Sequence, residues 1–375
     1  MIYLDNAATT KVFDRAISAA EKAMSVDFYN PNSTYGCGVD AKNNIEQARR
    51  TIATVVGAQS DEIVFTSGAT ESNNWVFECG RKNQKGNVVI SAGEHASVYE
   101  CAMRLKSRGT DVRIVPLTRE GTVDINAFKH AVDGDTTLVS IIHVSNETGA
   151  INPVRELVTT AKKISPRVLF HSDGVQGLLK TDMPVSSLGC DLYSASAHKL
   201  GAPKGMGFLY IKRGVNMQPF IRGGGQENGL RSGTQNTPYI AAFAAALEHF
   251  SQSANKADVM KIKTYLYDRF VAVGYDPVIP LDMSSAYILC VHIPDVKAEI
   301  LQNALYDKGI VIGKGAACSG SKRGNRVLSA MGLSDAQAEC CIRISLFADT
   351  KYEDVAAASA VIIETAEKIR SNHVG

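Results

Sequence analysis

One lysine gives the first indication of chemistry in this chain. Lys199 ends the tetrad Ser196-Ala-His198-Lys199, which follows a predicted strand and precedes the glycine-rich stretch Leu200 to Gly207. A lysine at the end of a sheet strand can be desolvated and lose its proton, which Schiff-base chemistry with an aldehyde cofactor requires. Taken alone, the same lysine is also typical of a solvated surface charge.

A second motif predicts a place for an anion. Thr66-Ser-Gly-Ala69-Thr70 ends one predicted strand and begins a helix. The backbone N–H groups at that helix start and the Thr70 hydroxyl are the donors that an anion binds at a helix N-terminus. A simple N-cap is the alternative interpretation.

Polar residues follow other predicted strands. His171-Ser-Asp173-Gly-Val-Gln176 lies at a carboxyl end, the edge where open α/β sheets place their ligands. A carboxylate there can keep a pyridine nitrogen protonated, so that the ring accepts electrons, although a turn aspartate capping the next helix fits equally. His95 and Asn146 also fall at strand ends, where His95 could act catalytically by stacking on a ring and shuttling protons, and Asn146 could donate to the ring hydroxyl. Each is individually also typical of a polar residue with a structural partner.

Cys318 differs from the other cysteines in its surroundings. Eight cysteines without a CxxC pair predict neither a disulfide framework nor a zinc site, and most sit among apolar neighbours. Cys318 lies within the glycine-rich and basic segment 313–324, whose composition predicts an exposed, mobile loop. Its thiol is therefore a candidate nucleophile.

The elements that must position these residues alternate between strands and helices. Apolar residues at helical spacing around Ile45 are followed by seven short apolar strand candidates, a pattern typical of a mostly parallel sheet covered by helices. The strand candidates are Glu62 to Thr66, Asn87 to Ser91, Val112 to Leu117, Thr137 to Val144, Val168 to His171, Leu192 to Ser194 and Gly207 to Ile211.

The pattern of predicted strands and helices changes after a predicted helix from Pro238 to Phe250. Two further strands and two helices indicate a smaller α+β domain, and they are predicted at Tyr287 to Ile293, Cys341 to Leu346, Ala298 to Lys308 and Glu353 to Lys368. We expect a large domain over residues 15–255 and a small domain formed by residues 1–14 and 256–375, which carries the Cys318 loop.

Composition restricts the partners. With 40 basic and 38 acidic residues the formal charge is +2, so no overall field favours nucleic acid or an anionic membrane. The chain contains no apolar run near the roughly 20 residues that span a bilayer, and its start lacks a signal-peptide pattern. We expect a cytoplasmic protein that acts on small molecules or proteins, without a metal site.

Several motifs together resemble the cysteine desulfurases of the NifS/IscS type, within the class V aminotransferase group of fold-type I enzymes that use pyridoxal 5'-phosphate. The resemblance spans nearly the whole chain in order, through Leu4-Asp-Asn-Ala-Ala-Thr-Thr10, the run Gly68-Ala-Thr-Glu-Ser72, the Lys199 tetrad, Gly223-Gly-Gly-Gln-Glu227 and Leu230-Arg-Ser-Gly-Thr234. It implies a homodimer that converts L-cysteine to L-alanine and holds the sulfur as a persulfide.

The resemblance also implies roles for individual residues. Lys199 would bind the cofactor aldehyde and carry the substrate proton. Cys318 would accept the sulfur, and Arg343 would bind the substrate carboxylate beside Asn146. The remaining cofactor contacts would be Asp173 at the ring nitrogen, Gln176 and Asn146 at the ring hydroxyl, His95 over the ring, Ala69, Thr70, Ser196 and His198 around the phosphate, and Thr234 reaching the neighbouring subunit. Arg343 could alternatively belong to a structural ion pair.

Other functions remain open at this stage. A selenocysteine lyase or another class V enzyme would share Lys199 and Asp173, and a catalytically silent scaffold would keep only the fold. The sulfur acceptor, whether for iron–sulfur cluster assembly or for tRNA or cofactor thiolation, is not indicated by any residue pattern. The chain departs from the family pattern at Tyr35, at Gly324-Asn-Arg326 and at Phe347.

Overall fold

The computed structural model describes residues 1–81, 85–315 and 325–373. Its strands are β1 (Ile2–Leu4), β2 (Ile63–Thr66), β3 (Asn87–Ser91), β4 (Val112–Val115), β5 (Thr136–Ser140), β6 (Leu169–Asp173), β7 (Leu192–Ser196), β8 (Gly207–Ile211), β9 (Asp276–Pro277), β10 (Ile288–His292), β11 (Ile310–Lys314) and β12 (Cys341–Ser345). Its α-helices are α1 (Asp14–Ser25), α2 (Gly36–Val56), α3 (Ala69–Cys79), α4 (Ala96–Ser107), α5 (Ile125–Ala131), α6 (Val154–Ile164), α7 (Val185–Leu188), α8 (Thr237–Ser253), α9 (Lys256–Ala272), α10 (Ala298–Tyr306), α11 (Arg326–Ala330), α12 (Asp335–Glu339) and α13 (Tyr352–His373).

Seven strands form the larger sheet in the order β2-β8-β7-β6-β5-β3-β4. The pairs from β7 through β6, β5 and β3 to β4 are parallel, whereas β8 runs antiparallel to both β2 and β7. The predicted fold class, a mostly parallel seven-stranded sheet with covering helices, is thereby confirmed. The carboxyl ends of β5, β6 and β7 meet at one edge, where an open sheet of this kind binds its ligands.

Both faces of this sheet are buried because successive strand residues point to opposite sides. On β3, Val88 and Ile90 pack with Trp75 of α3 in one apolar cluster, while Val89 packs with Phe170 in the other. All of these side chains are buried. The sheet therefore forms a rigid platform for the loops at its edge.

Helix α2 illustrates how sequence pattern fixes a local element. Ala41, Ile45, Ala48 and Ile52 recur at helical spacing and are buried. The helix ends at Gly57, whose φ of 72° is the left-handed conformation that glycine adopts without steric cost.

A second sheet has the order β1-β11-β12-β10-β9 and mixes a parallel β1–β11 pair with antiparallel neighbours. Its strands come from both ends of the chain. Strands β1, β9 and β11 were not predicted from the sequence, while β10 and β12 match the predicted strands to within a residue at each end. The domain limits given above stay a prediction.

The predicted strand Thr137 to Val144 is wrong in its second half. The strand ends at Ser140, and the following residues turn along the sheet edge toward Asn146. Their backbone groups bond to other partners, for example Ile142 N–H to the Glu94 carboxylate at 2.8 Å and His143 N–H to the Asp173 carbonyl at 2.9 Å.

None of the helices in the described ranges combines the length and the apolar character of a membrane-spanning segment.

A buried ion pair joins the segment that follows β8 to helix α2. The Arg49 guanidinium donates to both Glu227 carboxylate oxygens, at 2.7 and 2.9 Å, and to the Ile63 carbonyl at 2.7 Å. Glu227 also accepts from Phe65 N–H and from the Gln235 side chain, each at 2.9 Å. Arg49 and Glu227 are both buried, and the other carboxylate partner of Arg49, Glu46, is more exposed, so the loss of either member of the buried pair would leave a desolvated charge poorly compensated.

We expect Glu227→Ala to lower the free energy of unfolding by about 3 kcal/mol, because it removes the buried partner of Arg49 and leaves that guanidinium only the more exposed Glu46 carboxylate, at 3.2 Å. The matched control is Asp61→Ala, which breaks the exposed Asp61–Arg213 pair and should cost under about 1 kcal/mol. Chemical unfolding of both variants at one protein concentration provides the measurement. Equal losses for the two variants would contradict the assignment of Glu227 as an anchor.

Candidate functional site

A cavity of about 440 Å³ opens at the carboxyl edge of the large sheet. Nine of the residues predicted from the sequence to form the site line it, namely Ala69, Thr70, His95, Asn146, Asp173, Gln176, Ser196, His198 and Lys199. They come from distant parts of the chain, and the parallel strands bring their ends to one place. The volume is within the range of small-ligand sites.

Lys199 is held by the N-terminal segment. Its amine donates to the carbonyls of Ala7 and Ala8 at 2.6 and 2.5 Å. The same segment is fastened beside the lysine, because Thr10 N–H donates to the His198 carbonyl and Gly201 N–H donates to the Thr10 hydroxyl, each at 2.9 Å. The motif from Leu4 to Thr10 therefore positions the lysine of a second motif almost 190 residues later.

The electrostatic surroundings make the amine easier to deprotonate. Burial lowers the pKa of Lys199 to about 8, and the charges of Arg343 and Lys204 act in the same direction. Asp5 and Asp173 oppose this shift. With this pKa about a tenth of the amine is uncharged at pH 7, far more than for an ordinary lysine, and the uncharged form is the nucleophile.

The opposite part of the cavity is formed by the start of α3. Gly68 precedes the helix with a φ of 149°, and Ala69 and Thr70 form its first turn. Gly207 lies directly behind, where an added Cβ would come within 2.7 Å of the Gly68 Cα. Gly68, Ala69 and Thr70 all line the cavity, and the start of a helix is where backbone N–H groups can bind an anion.

Asp173 is buried at the end of β6. Its Oδ1 accepts from Val175 N–H at 3.1 Å, and its Oδ2 accepts from the Asn73 side-chain amide at 2.9 Å. Asn73 was not predicted from the sequence. It belongs to α3, so the helix that supplies the anion donors also holds this carboxylate.

His95 lies on the cavity wall and caps helix α4. Its Nδ1 accepts from Ser97 N–H at 3.2 Å and lies 2.8 Å from the Ser97 hydroxyl. The adjacent Glu94 is fully buried, and burial raises the pKa of its carboxyl to about 8. Ser97 and Glu94 were also missed by the sequence analysis.

Gln176 is oriented by a second buried lysine. Lys180 donates to the Gln176 amide oxygen at 2.9 Å, and the Gln176 amide nitrogen donates to the Ala7 carbonyl at 3.0 Å. Burial and, to a smaller extent, the charge of Lys199 lower the pKa of Lys180 to about 7. The carbonyl that holds Lys199 is thus shared with Gln176. No sequence signal distinguished Lys180 from an ordinary lysine in a turn.

Arg343 lies on β12 beside the cavity but is not part of its lining. Its guanidinium donates to the Asp5 carboxylate at 2.7 Å and to the Asn146 carbonyl at 2.8 Å, while its buried Nε has no partner among the described residues. The ion-pair alternative raised for this residue is therefore present. The unpartnered Nε still leaves a donor for a further acceptor.

Two other predicted site residues are not at this cavity. Thr234 is exposed and does not line it within the single chain. Cys318 lies outside the described residues. No cluster of three or more metal-binding side chains occurs in the part of the chain that the structure describes.

The residues present fit pyridoxal phosphate. The cavity combines an anion-binding helix start, a lysine of lowered pKa and a buried carboxylate, which are the groups that the phosphate, the aldehyde and the ring nitrogen need. Lys199, Asp173 and Thr70 would hold these three parts of the cofactor, respectively.

This fold and site define a member of the class V aminotransferases. The family model Aminotransferase class-V matches residues 2–357, and the chain belongs to that family. Enzymes of this class use pyridoxal phosphate in general.

Within the family, the chain belongs with the cysteine desulfurases. It is 35% identical over 380 residues to a protein of Rickettsia typhi named cysteine desulfurase IscS, covering 98% of this chain and 92% of the relative. It is 36% identical over 384 residues to a cysteine desulfurase of Sinorhizobium fredii, covering 99% and 98% of the two chains. A solved NifS-like protein superimposes with a TM-score of 0.90 at 36% identity, over 97% of this chain and 98% of that one.

The electrostatics of Lys199 yield a test in the cofactor-free protein. In competitive reductive methylation followed by peptide mass spectrometry, we expect half-maximal labelling of Lys199 near pH 8, with exposed Lys22 as the internal reference. Asp5→Asn should move this midpoint to lower pH, because the Asp5 charge raises the pKa. Arg343→Gln should move it to higher pH, because the Arg343 charge lowers the pKa. Shifts of the same sign in both variants would contradict this arrangement.

Proposed function

We infer that this protein is a cysteine desulfurase that converts L-cysteine to L-alanine and retains the sulfur as a protein persulfide. The observation that carries the inference is the placement of Lys199, with its lowered pKa, in one cavity with Asp173 and the start of α3. Family membership and the named relatives support the same activity.

We propose that pyridoxal phosphate occupies this cavity, bound through Lys199. When bound, the cofactor supplies an electron sink for the substrate carbon. Lys199 also carries the proton removed from that carbon, since its amine titrates near neutral pH and is held at a fixed position by Ala7 and Ala8. His198, Ser196, Thr70 and Ala69 are the proposed phosphate contacts, with Asn146 and Gln176 at the ring hydroxyl.

The substrate carboxylate is proposed to bind at Arg343. The planar guanidinium can donate two parallel hydrogen bonds to a carboxylate, and its Nε is unpartnered among the described residues. The Asp5 pairing keeps the guanidinium beside Asn146 before substrate arrives. A solved structure at 31% identity, described as SspA in complex with cysteine, supports this substrate class.

Cys318 is proposed as the sulfur acceptor. Its thiolate forms a bond to the substrate sulfur as the substrate C–S bond breaks. The electron pair of that bond stays with the carbon, which takes up a proton to become the methyl group of alanine. The substrate sulfur remains as a persulfide on Cys318 and passes to an acceptor protein, in iron–sulfur cluster assembly or in tRNA or cofactor thiolation.

We further propose that two copies of the chain form a homodimer with a composite site. Thr234 is exposed, and the segment before it is anchored by the Arg49–Glu227 pair and by the Arg231–Glu71 pair at 2.9 Å. These anchors hold Thr234 in a fixed outward position. From there it is proposed to reach the cofactor phosphate of the partner.

The test is Cys318→Ala, measured as alanine and sulfide formed from cysteine in the presence of a reductant. We expect both products to fall to background, because no thiol then accepts the sulfur, while the cofactor absorption band is retained. Cys37→Ala removes an exposed thiol elsewhere and should leave the rate unchanged. Undiminished turnover in the Cys318 variant would rule out the persulfide route, and a protein that stays colourless with pyridoxal phosphate would rule out the cofactor.

A further inference from the structure

Two side chains, Asn73 and Ser97, connect the Asp173 carboxylate in the cavity to the His95 imidazole on its wall. The Asn73 amide donates one hydrogen to Asp173 at 2.9 Å and the other to the Ser97 hydroxyl at 2.8 Å, and that hydroxyl lies 2.8 Å from His95 Nδ1. Asn73 is fully buried and Ser97 is half-buried. We refer to Asp173, Asn73, Ser97 and His95 as the polar relay.

The hydrogen bonds that Asn73 makes in the polar relay have a fixed direction. A carboxylate oxygen only accepts, so the Asn73 group facing it must be the NH₂. The second hydrogen of that NH₂ occupies one lone pair of the Ser97 hydroxyl. The hydroxyl keeps one hydrogen and one further lone pair, and either can face His95 Nδ1, 2.8 Å away.

A backbone hydrogen bond decides the direction of the Ser97–His95 contact. Ser97 backbone N–H also points at His95 Nδ1, at 3.2 Å, and a backbone N–H can only donate. A proton on Nδ1 would face this N–H and abolish that hydrogen bond, so Nδ1 is the acceptor and the Ser97 hydroxyl also donates to it. The proton of the neutral ring must be on Nε2, for which the described residues supply no partner.

We propose that Ser97 and Asn73 are positioning residues that hold His95 as the neutral tautomer protonated on Nε2, so that the imidazole offers a donor to the ligand in the cavity. The proposal rests on the function proposed above. It adds two residues of α3 and α4 to the reaction and assigns the hydrogen-bonding role of the imidazole.

The charges around His95 act together with the polar relay. Burial lowers the pKa of His95, Asp173 opposes this, and Lys199 and Arg326 lower it again. Arg326, at the start of α11, donates to the carbonyls of Ala92 and Glu94 on either side of the turn before His95. The nearby Glu94 carboxyl is buried and has its own pKa raised.

The experiment reads the tautomer directly in the complete cofactor-bound protein. Nitrogen NMR of selectively ¹⁵N-labelled histidine, with the His95 signals assigned through a His95→Gln variant, separates a protonated from an unprotonated ring nitrogen. We expect an unprotonated Nδ1 and a protonated Nε2 at neutral pH. In Ser97→Ala the loss of one donor to Nδ1 should raise the titration midpoint of His95 by about half to one pH unit.

Ser97→Thr keeps the hydroxyl and is the matched control, which should behave like the unmodified protein. Asn73→Ala should raise the midpoint less, because the Ser97 hydroxyl keeps its own hydrogen. The acid limb of the pH profile of kcat/KM for cysteine should move with the NMR midpoint. A proton on Nδ1 in the unmodified protein, or an unchanged midpoint in Ser97→Ala, would overturn the proposal. Because the tautomer is observed without turnover, this failure is distinguishable from a failure of the desulfurase assignment.

Discussion

The site depends on how the Lys199 amine is held. Two backbone carbonyls accept from it, and no carboxylate in the described part of the chain lies within ion-pair distance. A carboxylate partner would stabilise the ammonium and raise the pKa, whereas a carbonyl accepts a hydrogen bond from the charged and the neutral amine alike. The amine is therefore fixed in position without a carboxylate partner, and burial together with Arg343 lowers its pKa.

This constraint explains why both ends of the chain meet at the cavity. The segment that supplies the two carbonyls follows β1, which pairs in parallel with β11 of the second sheet. Asp5, which directly follows β1, pairs with Arg343 on β12, the strand on the other side of β11. One short N-terminal segment thus sets the position of the lysine and the position of the proposed carboxylate-binding arginine. The position of each relative to the other is thereby fixed.

Much of this arrangement could be predicted from the sequence, because local signals carried it. The short apolar strands indicated the large sheet, and polar residues at their ends, such as Asp173 and Lys199, marked the edge where they meet. Strand β8 reads as apolar as its neighbours, so its antiparallel direction had no local signal. The same holds for Asn73, Ser97 and Lys180, whose types are ordinary in helices and gain meaning only from the residues they contact.

The contacts that could not be predicted from the sequence all orient groups through hydrogen bonds. The polar relay and the Lys180–Gln176 bond orient groups in the cavity through hydrogen-bond direction. Between Asp173 and His95 the link is made by a neutral amide and a neutral hydroxyl, so it transmits orientation without adding a charge near Lys199. A lysine or an aspartate at position 73 or 97 would orient its neighbours as firmly, but it would also change the potential on which the neutral amine depends. Neutral residues at these two positions thus allow the imidazole tautomer and the lysine charge to be set separately.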